Sequence, residues 1–301
     1  MGLHIDGNDH DNKLFGSSGD DDINGFGGDD RIKGFGGDDL IRGGAGSDML
    51  WGGRGEDTIY GGGLYDVNDI DKICGGDGGD DIYAFGNPTH IWGGGGRDII
   101  YGGDRNDKIW GGSGDDAIVE GGDYIIDGDH RDLWVITPSL SHHESGDDKI
   151  WGGRGDDFVI GGAGDDEIWG GEGNDLLYGV DGDDTIFGGA GDDVIIGDYQ
   201  DDGGDGRGYD TLWGGEGSDT FFFYEGEVTD TIKDFESIDV IEIALYRYPS
   251  YDVPKEGDIE FQQSGANVEL SFGASPYSKL IVENAMLEQV KSATDIIITE
   301  Y

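Results

Sequence analysis

The sequence predicts an all-β chain: a parallel β-roll, or β-solenoid, of nonapeptide repeats. Three observations lead there. A nine-residue period runs from Gly16 to Phe222 with few breaks, the eighth position of each unit is apolar, and 63 of the 301 residues are glycine. Acidic, glycine-rich linkers share this composition but lack a strict period and a fixed apolar position.

The unit Gly43-Gly44-Ala45-Gly46-Ser47-Asp48-Met49-Leu50-Trp51 shows the pattern, and Gly52 to Tyr60, Gly152 to Ile160, Gly161 to Trp169 and Gly188 to Ile196 repeat it closely. Counting degenerate copies gives 20 units, and the sixth residue is aspartate in 18 of them. These are Asp21, Asp30, Asp39, Asp48, Asp57, Asp71, Asp80, Asp98, Asp107, Asp116, Asp148, Asp157, Asp166, Asp175, Asp184, Asp193, Asp210 and Asp219; Asn12 and Thr89 are the exceptions.

Each position has a physical reason. Glycines at positions one, two and four are expected to use positive φ without a Cβ penalty, turning successive carbonyl oxygens into one pocket. Aspartate at position six adds a carboxylate where the turn ends. The last three residues form a minimal strand with one side chain inward and two outward, so two nonapeptides make an 18-residue coil around a thin core. Ile32, Ile41, Leu50 and Ile59 are expected to begin that core.

Charge then narrows the chemistry. Asp and Glu number 67 against 18 Lys and Arg, a formal net charge of -49. Nucleic acid would be repelled, and the chain repels itself. Divalent cations are the simplest neutralising partner, and carboxylate and carbonyl oxygens suit Ca²⁺, which takes six to eight of them. With 6 His and a single Cys, Cys74, softer metals have few ligands and no intrachain disulfide can form. So thin a core buries little apolar area per residue, so metal bound to the native state is expected to supply much of the folding free energy.

Over residues 7 to 222 these repeats resemble the RTX, or hemolysin-type calcium-binding, family. The resemblance implies a parallel β-roll in which position-six aspartates bind several calcium ions with turn carbonyls, Thr89 interrupting one row. Asp230-Thr231-Ile232-Lys233-Asp234-Phe235 and Ile238-Asp239-Val240-Ile241 look like the segment after the roll in serralysin proteases and mannuronan epimerases. That likeness implies that residues 223–301 form a β cap carrying a type I secretion signal. The chain end, Asp295 to Tyr301, is acidic then apolar, as such signals are. Export from a Gram-negative bacterium fits the N-terminus, where no cleaved signal peptide is visible, and no apolar run approaches membrane-spanning length.

Three insertions break the register, near 61–70, 120–147 and 197–209, and are expected to be surface loops. The second gathers Asp127, Asp129, His130, Asp132, His142, His143 and Glu144 within 18 residues. It has no H-E-x-x-H, nucleophile elbow or Cys/His ligand spacing, so it reads as a solvated polar loop.

Position nine carries a second pattern. Trp51, Trp92, Trp110, Trp151, Trp169 and Trp213 fall on odd-numbered units and are expected to share one sheet, while Tyr60, Tyr83, Tyr101 and Tyr178 fall on even-numbered ones. Such rows either stack along the solenoid or offer a partner surface for extracellular polysaccharide or another copy of the chain. With repeats beginning by Gly7, the expectation is a non-enzymatic calcium-folded adhesion, matrix or polysaccharide-binding module. The alternative is a polysaccharide-modifying or hydrolytic enzyme, or the noncatalytic module of one, with chemistry in the insertions.

Overall fold

Alternation within the repeat decides the architecture. In each unit residue eight points inward and residues seven and nine point outward, so a strand can pair only with the strand two units away, on its own side of the coil. The computed structural model describes residues 1–62, 70–85, 89–103, 105–119, 146–198, 208–224, 229–247, 259–272 and 279–300. Among these, 27 strands form two sheets, one of 13 and one of 14 strands.

The 13-stranded sheet takes His4–Asn8, Asp22–Gly27, Leu40–Ala45 and every second strand as far as Val240–Arg247, then Thr294–Glu300, and the 14-stranded sheet takes Lys13–Phe15, Arg31–Lys33, Met49–Arg54 and the remaining strands. Pairing is parallel and in register, as in Ile23 with Ile41 and Ile41 with Ile59. Many strands exceed three residues, because pairing runs on into the turn: Gly53 pairs with Gly76 and Arg54 with Asp77.

Between the sheets lies a thin core of position-eight side chains, one ladder from each sheet. Ile23, Ile32, Ile41, Leu50 and Ile59 begin it, and it continues through Ile186, Ile195, Leu212 and Phe221, all without exposed surface. The insertions leave these ladders intact. Asp48 still meets Asp71, Asp107 still meets Asp148 and Asp184 still meets Asp210, at sequence separations of 23, 41 and 26 in place of 18. Most of each insertion, including the His130, His142 and His143 cluster, lies outside the described residues.

The glycine positions differ from expectation in an informative way. Positions two and four do hold positive φ, as at Gly153 (125°) and Gly155 (126°). Position one does not. Its glycine is required by close approach: a Cβ on Gly152 would stand 2.5 Å from Asp157 Oδ2 and 2.6 Å from the Gly170 carbonyl oxygen. Ala84 occupies position one in the unit whose sixth residue is Thr89, so the added methyl has no carboxylate to displace. Position two tolerates side chains, Phe26, Phe35, Phe85 and Val180 all lying at positive φ.

Stacking continues past Phe222 after the glycine turns are lost. Thr220–Tyr224 pairs with Val240–Arg247, and Thr211–Glu216 with Thr229–Ile232, both in parallel. Val240–Arg247 then pairs with Thr294–Glu300. On the other sheet Lys279–Val282 adds to Thr229–Ile232, followed by antiparallel Asn267–Phe272 and Ile259–Ser264. The helix Leu287–Ala293 buries Val290 against the end of the core.

Candidate metal centres

All 18 position-six aspartates are buried, none more than 4% exposed. They stand in two files, one along each edge of the roll, because parallel in-register stacking repeats each turn directly over the last. In each file the backbone N–H of one aspartate donates to Oδ1 of the aspartate in the next coil. The unbroken file runs Asp21, Asp39, Asp57, Asp80, Asp98, Asp116, Asp157, Asp175, Asp193, Asp219, with each bond between 2.8 and 3.0 Å. In the other file Thr89 stands where an aspartate would; its N–H donates to Asp107 Oδ1 at 2.5 Å, so the fold passes through while the carboxylate is missing.

The second oxygen is the informative one. Oδ2 of Asp39, Asp57, Asp98, Asp116, Asp157 and Asp175 is buried with no hydrogen-bond partner, and the same holds for Asp30, Asp48, Asp80, Asp166, Asp184 and Asp193. An ionised carboxylate oxygen out of water and without a partner is costly, so native proteins pair it or give it a metal. Here each Oδ2 faces its unit's first glycine and a carbonyl oxygen of the next coil, in the space a Cβ would fill. Repeated carboxylate and carbonyl oxygens with no nitrogen or sulfur fit a hard divalent cation of calcium's kind.

Electrostatics agree. Burial pushes Asp48 up to about 8, with Asp71 and Asp30 adding to it against the hydrogen bond from the Asp30 N–H. Burial likewise pushes Asp57, Asp98 and Asp157 up to about 7. At the N-terminal end Asp21 departs the other way: burial is outweighed there by hydrogen bonds from Ser17 and Leu3.

Two further sets of residues are harder to find from the sequence. Position five forms an opposite ladder, its side chain accepting from the following coil: Asp115 from the Asp156 N–H (3.1 Å), Asp156 from Asn174 (2.8 Å), Asn174 from Asp192 (2.8 Å) and Asp192 from Ser218 (2.8 Å). The recurring Asp-Asp pair is its signal. Asp230 and Asp239 extend the files past the last full repeat, accepting from Asp210 (3.1 Å) and Asp219 (3.2 Å). Their signal is the surviving D-x-U-x of Asp230 to Lys233 and Asp239 to Glu242.

The aromatic rows lie where parity placed them. On the 14-stranded sheet Trp92, Trp110, Trp151, Trp169, Phe187 and Trp213 form one continuous stack, with centroids 5.0, 4.9, 4.7, 5.6 and 4.4 Å apart. Trp51 stands apart, because Cys74 occupies the row between it and Trp92, and Lys33 lies 4.6 Å over its ring. Tyr60, Tyr83 and Tyr101 stack on the other sheet, at 5.0 and 5.1 Å. The indole faces within the stack are therefore covered by one another, and their edges face outward.

The family model of the RTX calcium-binding nonapeptide repeat matches residues 6–34, 33–67, 92–124, 144–177, 178–203 and 205–227. No curated protein matches the chain. Among solved structures, the crystal structure of extracellular lipase LipA from Serratia marcescens is similar at 18% identity over 67% of this chain, with a TM-score of 0.28. The match spans 40% of that lipase chain. The repeat matches cover more than half of the sequence and take in every position-six aspartate except Asp71 and Asp80, so the chain belongs to the RTX calcium-binding nonapeptide repeat family.

Proposed function

We infer that this is a secreted protein folded by calcium, whose roll acts as a non-enzymatic adhesion, matrix or polysaccharide-binding module. The observation that carries the reading is the run of buried, partnerless Oδ2 atoms along both edges. The position-six aspartates from Asp21 to Asp219 are its calcium ligands, joined by turn carbonyls of adjacent coils. At extracellular-module affinities of about 10⁻⁴ to 10⁻³ M the chain stays unfolded at cytosolic calcium and folds outside. The C-terminal segment then carries the export signal, and deleting residues 279–301 is expected to abolish secretion while deletion of two central repeats does not.

Polysaccharide binding draws support from the outward face of the 14-stranded sheet. Position seven there reads Lys13, Arg31, Met49, Lys72, His90, Lys108 and Lys149 on successive paired strands, beside the tryptophan row. Burial together with the positive charges of Lys108 and Lys72 lowers the His90 pKa, a cationic local field on a strongly acidic chain. Strands about 4.8 Å apart present these groups as a regular row, suited to an anionic glycan lying along the roll and touching ring edges. Among the described residues no helix is long and apolar enough to cross a membrane. Affinity electrophoresis checks the reading: uronate-rich gels should retard the calcium-loaded protein more than neutral glucan gels, and Lys72→Gln, Lys108→Gln and Lys149→Gln together should remove the difference. Equal migration of wild type in both gels would contradict it.

A further inference from the structure

One acidic cluster departs from the repeat pattern. Position two is glycine in most units, and among the described residues Asp198 is the one acid found there, next to Gly197. Its carboxylate meets those of Asp210 and Asp230, and one oxygen from each of the three lies within 4.8 Å of the others. Asp210 is 1% exposed; its Oδ1 accepts from the Asp184 N–H at 3.0 Å, and its Oδ2 is buried without a partner. Asp198 Oδ1 is likewise buried and partnerless. Among the described residues, no ion pair brings a lysine, arginine or histidine to these three.

Oxygens bound to one calcium ion at about 2.4 Å can stand no more than about 4.8 Å apart, so the spacing of this trio suits a shared ion. A third carboxylate also changes the energetics. In the regular files successive coils contribute one position-six carboxylate each, whereas here the lateral Asp198 joins two stacked ones, and ligand charge count tunes calcium affinity. Without an ion, three carboxylates this close repel one another in a buried space. Asp181 adds to the negative potential at Asp198.

We propose that Asp198 joins Asp210 and Asp230 in a three-carboxylate calcium site at the C-terminal end of one file, where the last glycine turns meet the C-terminal strands, and that this site fills before the rest of the files. It rests on the calcium reading above. Its role is to lock Asp230, the first position-six aspartate beyond the full repeats, onto the roll, so that the C-terminal strands are fixed at the lowest calcium level.

Calcium titration against a chromophoric chelator, followed in parallel by far-UV CD, tests it. Wild type should take up one ion about tenfold more tightly than the rest. Asp198→Gly, which restores the residue most units carry, should delete that step and leave the later uptake and the saturated CD spectrum unchanged. Asp198→Asn, close in shape and uncharged, gives the same reading should the glycine variant fail to fold. A tight step that survives both substitutions overturns this site and leaves the regular files standing. A wild-type chain that takes up no calcium overturns both readings.

Discussion

Asp157 shows what one residue does in this fold. Its Oδ1 accepts the Asp116 N–H at 2.8 Å and so ties one coil to the next, while its buried Oδ2, without a hydrogen-bond partner, is the oxygen proposed to bind calcium. Asp157→Asn keeps the first role and loses the second, so the calcium midpoint of folding should rise several-fold while the saturated CD spectrum is retained; an unchanged midpoint would remove Asp157 from the ligand set. The raised carboxylate values also set a pH dependence. Folded values near 7 to 8 at Asp48, Asp57, Asp116 and Asp157 against 3.8 for the unconstrained side chain mean that the metal-free roll binds more protons than the unfolded chain. That contribution is fully present below about pH 4 and is lost as pH rises through 7 to 8. Metal-free protein should therefore gain β signal on acidification from pH 8 toward 4, and a flat CD profile would contradict this. With calcium present, protons compete for the same oxygens, so apparent affinity should fall over the same range. The position-six aspartates are legible in the sequence because the period repeats them. Asp198 is not, because a single acid ahead of an insertion looks like loop polarity until the neighbouring coil is in place.

At the scale of the coil, the nine-residue period is enough to assign strands to two sheets, since alternate units must lie on opposite sides of an 18-residue turn. It places the tryptophans together but cannot show their faces stacked, because ring orientation depends on the neighbouring coil. The reason for glycine at position one is equally out of reach: no local dihedral demands it, only the approach of Asp Oδ2 and a carbonyl from the next turn. Gly152→Ala should therefore weaken calcium-driven folding more than Phe35→Ala, even though Phe35 holds the positive φ; equal midpoints in a calcium titration would contradict the close-approach account. In the core, Ile59→Ala should cost about 2–5 kcal/mol in calcium-saturated protein, measured by urea unfolding, since Ile59 has no exposed surface and the thin core between the two sheets has few side chains to fill the space. Trp110→Ala interrupts the ring stack on both sides and should lower stability by a smaller amount, about 1 to 3 kcal/mol for two lost aromatic contacts.

At the scale of the molecule, two requirements meet. A chain of net charge -49 must be neutralised to condense, and a core this thin stacks only if its edges are held. Calcium bound at the aspartate files, as proposed above, would meet both, and nearest-neighbour stacking would make the response cooperative along the roll. Composition and period alone make this logic readable; the continuation of stacking past Phe222 is hidden because the glycines end there while D-x-U-x does not. The most direct test of metal-driven folding is far-UV CD during a calcium titration from excess EDTA, with Mg²⁺ as the control for charge screening. The account predicts an unfolded spectrum in EDTA and a steep gain of β signal with Ca²⁺ that Mg²⁺ does not reproduce; a native-like spectrum in EDTA would contradict it.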